Sequence, residues 1–192
     1  MKARRVRLHG SSENRANYKI NRVIFVRVKQ IMIYLVEKVT LIPQDKTNGC
    51  WYFSAKMMSK WTNDVGRSNK VKDPGTLTDL FNLYDCNCGY ALSTCKTLAE
   101  KLGMQALARK KRSFEEYLEL LKKGPLWAAG IKGGVDGSPH VVVIAGVADT
   151  GVLVLDPLPL NKGHREWKTW SWLDSFLAHE SGGFDANLLA TK

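Results

Sequence analysis

Residues 44–61 decide the fold: Gln44-Asp45-Lys46-Thr47-Asn48-Gly49-Cys50-Trp51, then Tyr52-Phe53-Ser54-Ala55-Lys56-Met57-Met58-Ser59-Lys60-Trp61. Pro43 stops the β-rich run before it, and Asn48-Gly49 marks a tight turn. From Cys50 onward Trp51, Ala55, Met58 and Trp61 recur three or four residues apart, the spacing of one apolar helix face. A helix therefore starts at Cys50, with the thiol in its first turn. Backbone N–H groups are unpaired there and the helix dipole is positive, so that setting favours thiolate over thiol. Taken by itself, an isolated cysteine reads more readily as a buried, inert thiol.

Working outward, the first half continues as helices and the second turns to strands. Short helices are expected over 76–84 and 90–102, the latter ending on Gly103 as a C-cap. Ser113-Phe114-Glu115-Glu116 is a capping box that opens an amphipathic helix reaching Lys122-Lys123. Gly124-Pro125 closes it. The β-branched, apolar runs Leu126–Ile131, His140–Ala148 and Val152–Leu155 have strand length and are joined by turn sequences at 133–137 and 149–151. Ser171 with Asp174 reads as a further helix start. Trp167, Trp170 and Trp172 read as core, and 180–192 as a mobile tail. Upstream, 22–29 and 31–42 are β-rich. The fold class is α+β, a helical half packed against an antiparallel sheet half with a cleft between them.

Three other residues share the setting of Cys50. Gln44 lies six positions earlier, across the turn, where its amide and the Cys50 N–H would form two donors for an oxyanion. His140 opens an apolar strand just after a glycine-rich turn and would serve as base toward the thiol. Asp156 ends the following strand before Pro157 and would fix the imidazole tautomer. His9, His164 and His179 lack a comparable setting. Each residue has an ordinary alternative: a solvated loop Gln, a strand-edge His, a turn carboxylate.

In order and spacing, Gln44-x5-Cys50-Trp51, Ala55 on the helix, Gly124-Pro125-Leu126-Trp127, His140 on its strand and Asp156-Pro157 together resemble the papain-like cysteine proteases, over about residues 38–180. The resemblance is closest to the avirulence effectors that plant pathogens inject into host cells and to related interbacterial toxin domains. It implies a Cys50–His140–Asp156 triad with Gln44 at the oxyanion. It also implies Gly124, Pro125, Leu126 and Trp127 on the non-primed side of the cleft, a protein substrate in a target cell, and a cognate immunity protein as partner. No cofactor is implied. The same residues also suit a deamidase, a transglutaminase or a leader-peptide peptidase.

Composition sets the outer bounds. A chain of 192 residues, 44% hydrophobic, is long enough for one domain with a real core. The net charge is +11 and uneven: residues 1–37 carry nine basic against two acidic side chains. Residues 1–37 are therefore assigned as a basic extension or linker and 38–192 as the protease domain. Such an arm also fits a catalytically idle module that binds nucleic acid or protein through its charge. Cys86, Cys88 and Cys95 cluster without a fourth zinc ligand, so free thiols are expected and no metal site is assigned. No Sec-type signal or transmembrane stretch is legible, so the protein is expected either to work in the cytosol or to leave by a route that needs no Sec signal; the resemblance implies export by a specialised secretion system and action in a target cell's cytosol.

Overall fold

The computed structural model describes residues 32–178 and 183–192. In chain order the elements are β1 (Ile33–Leu35), α1 (Cys50–Asp64), α2 (Thr78–Asp85), α3 (Cys95–Leu102), β2 (Gln105–Ala106), α4 (Phe114–Lys123), β3 (Leu126–Gly130), β4 (His140–Ala148), β5 (Gly151–Asp156), β6 (His164–Thr169), α5 (Trp170–Leu177) and β7 (Leu188–Ala190). The basic run 1–31, including the expected strand over 22–29, lies outside the described residues.

The described strands form one antiparallel sheet in the order β2-β7-β3-β4-β5-β6. Strand β4 is its spine. On one edge it pairs with β3 through His140–Ile144 and then with β1 through Gly146–Ala148; on the other it pairs with β5. All nine residues of β4 are buried. Val141, Val143 and Ala145 pack with Trp51, Ala55 and Met58 of α1 and with Leu98 of α3. Val142 and Ile144 pack with Tyr117 and Leu121 of α4 and with Leu173 and Phe176 of α5. A strand covered on both faces has no solvent side, which is why this run shows no polar alternation. The α+β class stands, but helices cover both sheet faces.

The local signals were accurate where capping chemistry was explicit. Helix α1 begins at Cys50, Gly103 closes α3 in the left-handed region at φ 76°, and the Ser113–Glu116 capping box is formed in both directions. Elsewhere the reading misled, at one capping pattern as well as where it rested on composition. Residues 164–169 are an edge strand, and α5 is capped by Thr169, whose hydroxyl accepts from Trp172 N at 3.2 Å, rather than by Ser171. Trp167 is 44% exposed, so the tryptophans are not all core. Residues 188–190, expected in a tail, form buried strand β7 between β2 and β3. Three apolar residues are too few to show a period. Strand β1 and Val36 lie on the extension side of the expected boundary after residue 37, yet β1 pairs with β4 and Val36 is buried. Cys86 and Cys88, expected free, are joined in a disulfide, while Cys50 and Cys95 are free. Among the described residues no helix is long and apolar enough to cross a membrane.

One glycine of the β4–β5 turn carries a sharp constraint. Gly151 sits at φ 154°, and a Cβ there would lie 1.9 Å from the Lys168 carbonyl oxygen on β6. Gly151→Ala should destabilise the fold by on the order of 3 kcal/mol or more, because neither backbone can retreat without breaking the ladder. Ser113→Ala, which removes only the cap of α4, should cost about 1 kcal/mol. Urea-denaturation midpoints of the two variants check the ranking.

Candidate active site

Two buried hydrogen bonds set the start of α1 against the sheet. Trp127 Nε1 on β3 donates to the Trp51 carbonyl at 3.1 Å, and Ser54 Oγ donates to the Val141 carbonyl on β4 at 3.2 Å. These lock the first turn of the helix beside the residue that follows His140, and so bring Cys50 to His140. The segment before Cys50 is tied down as well. Gln44 N donates to the Pro157 carbonyl at 2.9 Å, and Asn161 N donates to the Gln44 carbonyl at 2.7 Å. The loop after Asp156 and the loop before Cys50 are thus stitched to each other. Asn87, between the disulfide cysteines, holds the far side: its Oδ1 accepts from Asn48 N at 2.9 Å, and its Nδ2 donates to Thr47 Oγ1 at 2.8 Å.

His140 is only 2% exposed and lies 2.6 Å through Nε2 from Asp156 Oδ1. The same carboxylate oxygen accepts from Leu158 N at 2.8 Å. Cys50 is a further neighbour that favours the charged imidazole, and with Nε2 engaged by Asp156, Nδ1 is the nitrogen left for sulfur. Burial alone would push the imidazole pKa down. The hydrogen bond to Asp156, then the influence of Cys50, outweigh it and raise the pKa to about 9. A cysteine at a helix N-terminus, an imidazole that stays charged at neutral pH and a carboxylate behind it form the arrangement of a base-assisted nucleophile.

Two hollows reach this line. One, of about 500 Å³, has Cys50, Trp51, Tyr90, Ile131, Val141 and Phe184 among its walls. The other, of about 390 Å³, has His140 and Asp156 in its wall beside Lys132, His164, Lys168 and Trp172.

A family model described as papain-like cysteine protease AvrRpt2 matches residues 32–174, well over half of the chain. The chain belongs to that family. It is a papain-like cysteine protease, a hydrolase. No curated protein matches it.

Not every residue expected at the site of this papain-like protease lies there. Gly124, Pro125, Leu126 and Trp127 are buried and line neither hollow. Gly124 is packed under Trp61, where a Cβ would meet the indole at 2.7 Å, and Trp127 anchors α1 from inside the core. Gln44 is fully buried, and its Nε2 donates to the carbonyls of Lys46 at 2.8 Å and Thr47 at 3.0 Å. Both amide hydrogens are thereby engaged by its own loop. Its Oε1 has no hydrogen-bond partner among the described residues. Conversely, His164, Lys168 and Trp172 border the site unannounced by local sequence. They stand there because β6 and α5 fold back along β5, a long-range pairing. Among the described residues no cluster of His, Cys, Asp or Glu is arranged to hold a metal.

The raised His140 pKa has a consequence for stability. A base whose folded pKa lies above its unfolded value of about 6.5 contributes fully below that pH and loses the contribution as pH rises through its folded pKa. The Tm advantage of the wild type over Asp156→Asn should therefore be full below pH 6.5 and shrink as pH rises through about 9. NMR titration of the His140 ring should show its midpoint fall in Asp156→Asn, since burial then acts without its main opponent.

Proposed function

We propose that the chain is a cysteine endopeptidase that cleaves a protein substrate through an acyl-enzyme on Cys50, and that it is a bacterial effector or toxin acting in the cytosol of a target cell. The observation that carries the chemical part is the line from the α1 N-terminus through Cys50 and His140 to Asp156, with its 2.6 Å Nε2–Oδ1 contact. His140 already holds the thiol proton before substrate arrives, as its raised pKa requires, while the Cys50 sulfur bonds as thiolate to the scissile carbonyl carbon. It then gives the proton to the amine as the C–N bond breaks, leaving a thioester. Water, deprotonated by the same imidazole, attacks the thioester, releases the acid and restores the thiolate. Asp156 holds the ring so that Nδ1 faces sulfur and stabilises the imidazolium formed in each step.

Oxyanion stabilisation starts from the Cys50 backbone N–H, which at the head of α1 has no partner within the helix. In this reading Gln44 supplies the second donor by turning one amide hydrogen away from the carbonyl of Thr47 or Lys46 as substrate enters. The effector part rests on the likeness of the Gln-Cys-His-Asp pattern to injected avirulence proteases and on the family's description. It brings with it export by a specialised secretion system and a cognate immunity protein that covers the cleft in the producing cell.

An epoxide inhibitor of papain-type enzymes should alkylate Cys50 and leave Cys95 untouched, and His140→Ala should lose the labelling. Equal labelling of both free thiols would defeat the reading. Cys50→Ala should reduce peptide cleavage by at least about 10³-fold, and Gln44→Ala should lower kcat by about 10²-fold or more. Expression inside a susceptible cell should be toxic for the wild type and harmless for Cys50→Ala.

A further inference from the structure

The register that carries Asp156 to the end of β5 places His164 of β6 directly opposite it. Residues directly opposite in an antiparallel pair point to the same side of the sheet, and both open into the hollow beside His140. The His164 ring is held at both nitrogens. Nδ1 lies 2.6 Å from the Leu158 carbonyl oxygen and Nε2 lies 2.5 Å from Glu166 Oε1. A carbonyl has no hydrogen to give. Glu166 also accepts from Lys168 Nζ at 2.6 Å, a contact that holds its carboxyl below the usual range. Both ring nitrogens must therefore donate, so His164 is an imidazolium in this arrangement. Burial opposes that charge, but the Leu158 carbonyl and Glu166 outweigh it and raise the pKa.

Leu158 links this ring to the triad. Its carbonyl is held by His164 while its N–H donates to the Asp156 oxygen that His140 uses. The flanking residues Pro157 and Pro159 have no N–H, so Leu158 is the sole backbone donor between residues 157 and 159. We propose that His164 is a positioning residue for the protease: by clamping the Leu158 carbonyl, with Glu166 fixing the ring from behind, it aims the Leu158 N–H that holds Asp156 toward His140. The proposal rests on the Cys50–His140–Asp156 reading. The ionisable groups sharing the hollow with His164 are Lys132, His140, Asp156, Glu166 and Lys168. Of these, Glu166 and Asp156 face the ring most closely.

The test uses the full chain and the epoxide as probe, so that no substrate need be known. His164→Leu removes both ring donors. His164→Asn keeps a donor near the place of Nδ1 but not the link to Glu166. The first should lower the limiting rate of Cys50 alkylation by roughly 10- to 100-fold, the scale of a modest misplacement of a reacting group. The inhibitor's KI should stay unchanged and the NMR titration midpoint of His140 should fall. The second should recover most of the rate and the midpoint. Wild-type rate and midpoint in His164→Leu would overturn the proposal, as would a loss confined to KI, which would make His164 a wall of the binding site. If His164→Leu does not fold, Glu166→Gln decides: the same changes in smaller measure support the clamp, and an unchanged rate and midpoint refute it. Failure of the triad itself is distinguishable, because His140→Ala would then keep labelling whatever His164 does.

Discussion

Between Ile144 and Gly146 the pairing of β4 with β5 slips by one residue, leaving Ala145 as a bulge. Below the bulge Val143 faces Leu155 and Ile144 faces Val154; above it Gly146 faces Leu153. Because side chains alternate faces, a slip of one residue reverses which face every later residue occupies. Carried down to the end of β5, the shifted register puts Asp156 on the face shared by His140 and Val142. In the unshifted register Asp156 would point to the face covered by α1, away from the imidazole. The His140–Asp156 contact, the pKa it raises and the docking of Leu158 all follow from that extra residue. It is stabilised from the β1 edge, where Val36 N donates to the Ala145 carbonyl at 2.9 Å.

The second requirement is that α1 deliver Cys50 to the end of β4. A helix packed only through apolar contacts can slide or rotate at modest cost, since dispersion and burial are not directional. Directional bonds from Trp127 and Ser54 remove that freedom at the turn that carries Cys50. Trp127 thus acts on the position of Cys50 from within the core. Leu126 and Trp127 belong to an internal strand packed on both faces, so their side chains have no route to the cleft.

The loops around the site are cross-braced in the same way. Gln44 bonds through its backbone to Pro157 and Asn161 and through its side chain to Lys46 and Thr47. Asn87, set between two disulfide-linked cysteines, bonds to Thr47 and Asn48. Residues 44–48 are therefore fastened from two sides before the chain enters α1. A preorganised turn of this kind holds backbone donors in place without the reorganisation cost that water would impose.

Much was legible in the sequence because it was local. The turn before Cys50, the apolar period of α1, the Ser113 capping box, Gly103 as a C-cap and the buried runs of β4 and β5 each depend on residues within a few positions of one another, and each appears as read. The order Gln44, Cys50, His140, Asp156 was enough to name the family. Most of the errors involve distant partners; the Cys86–Cys88 bond and the Thr169 cap of α5 are local exceptions. Strand β7 exists only between β2 and β3, β6 exists only along β5, and the Cys86–Cys88 bond could not be chosen from spacing. Trp127 is in the core because helices lie on both sides of its strand. The sequence by itself determined the chemistry available and the elements that carry it. Tertiary structure decided which side chains meet, because faces and partners are set by strand register and helix packing, and those are sums over contacts from the whole domain.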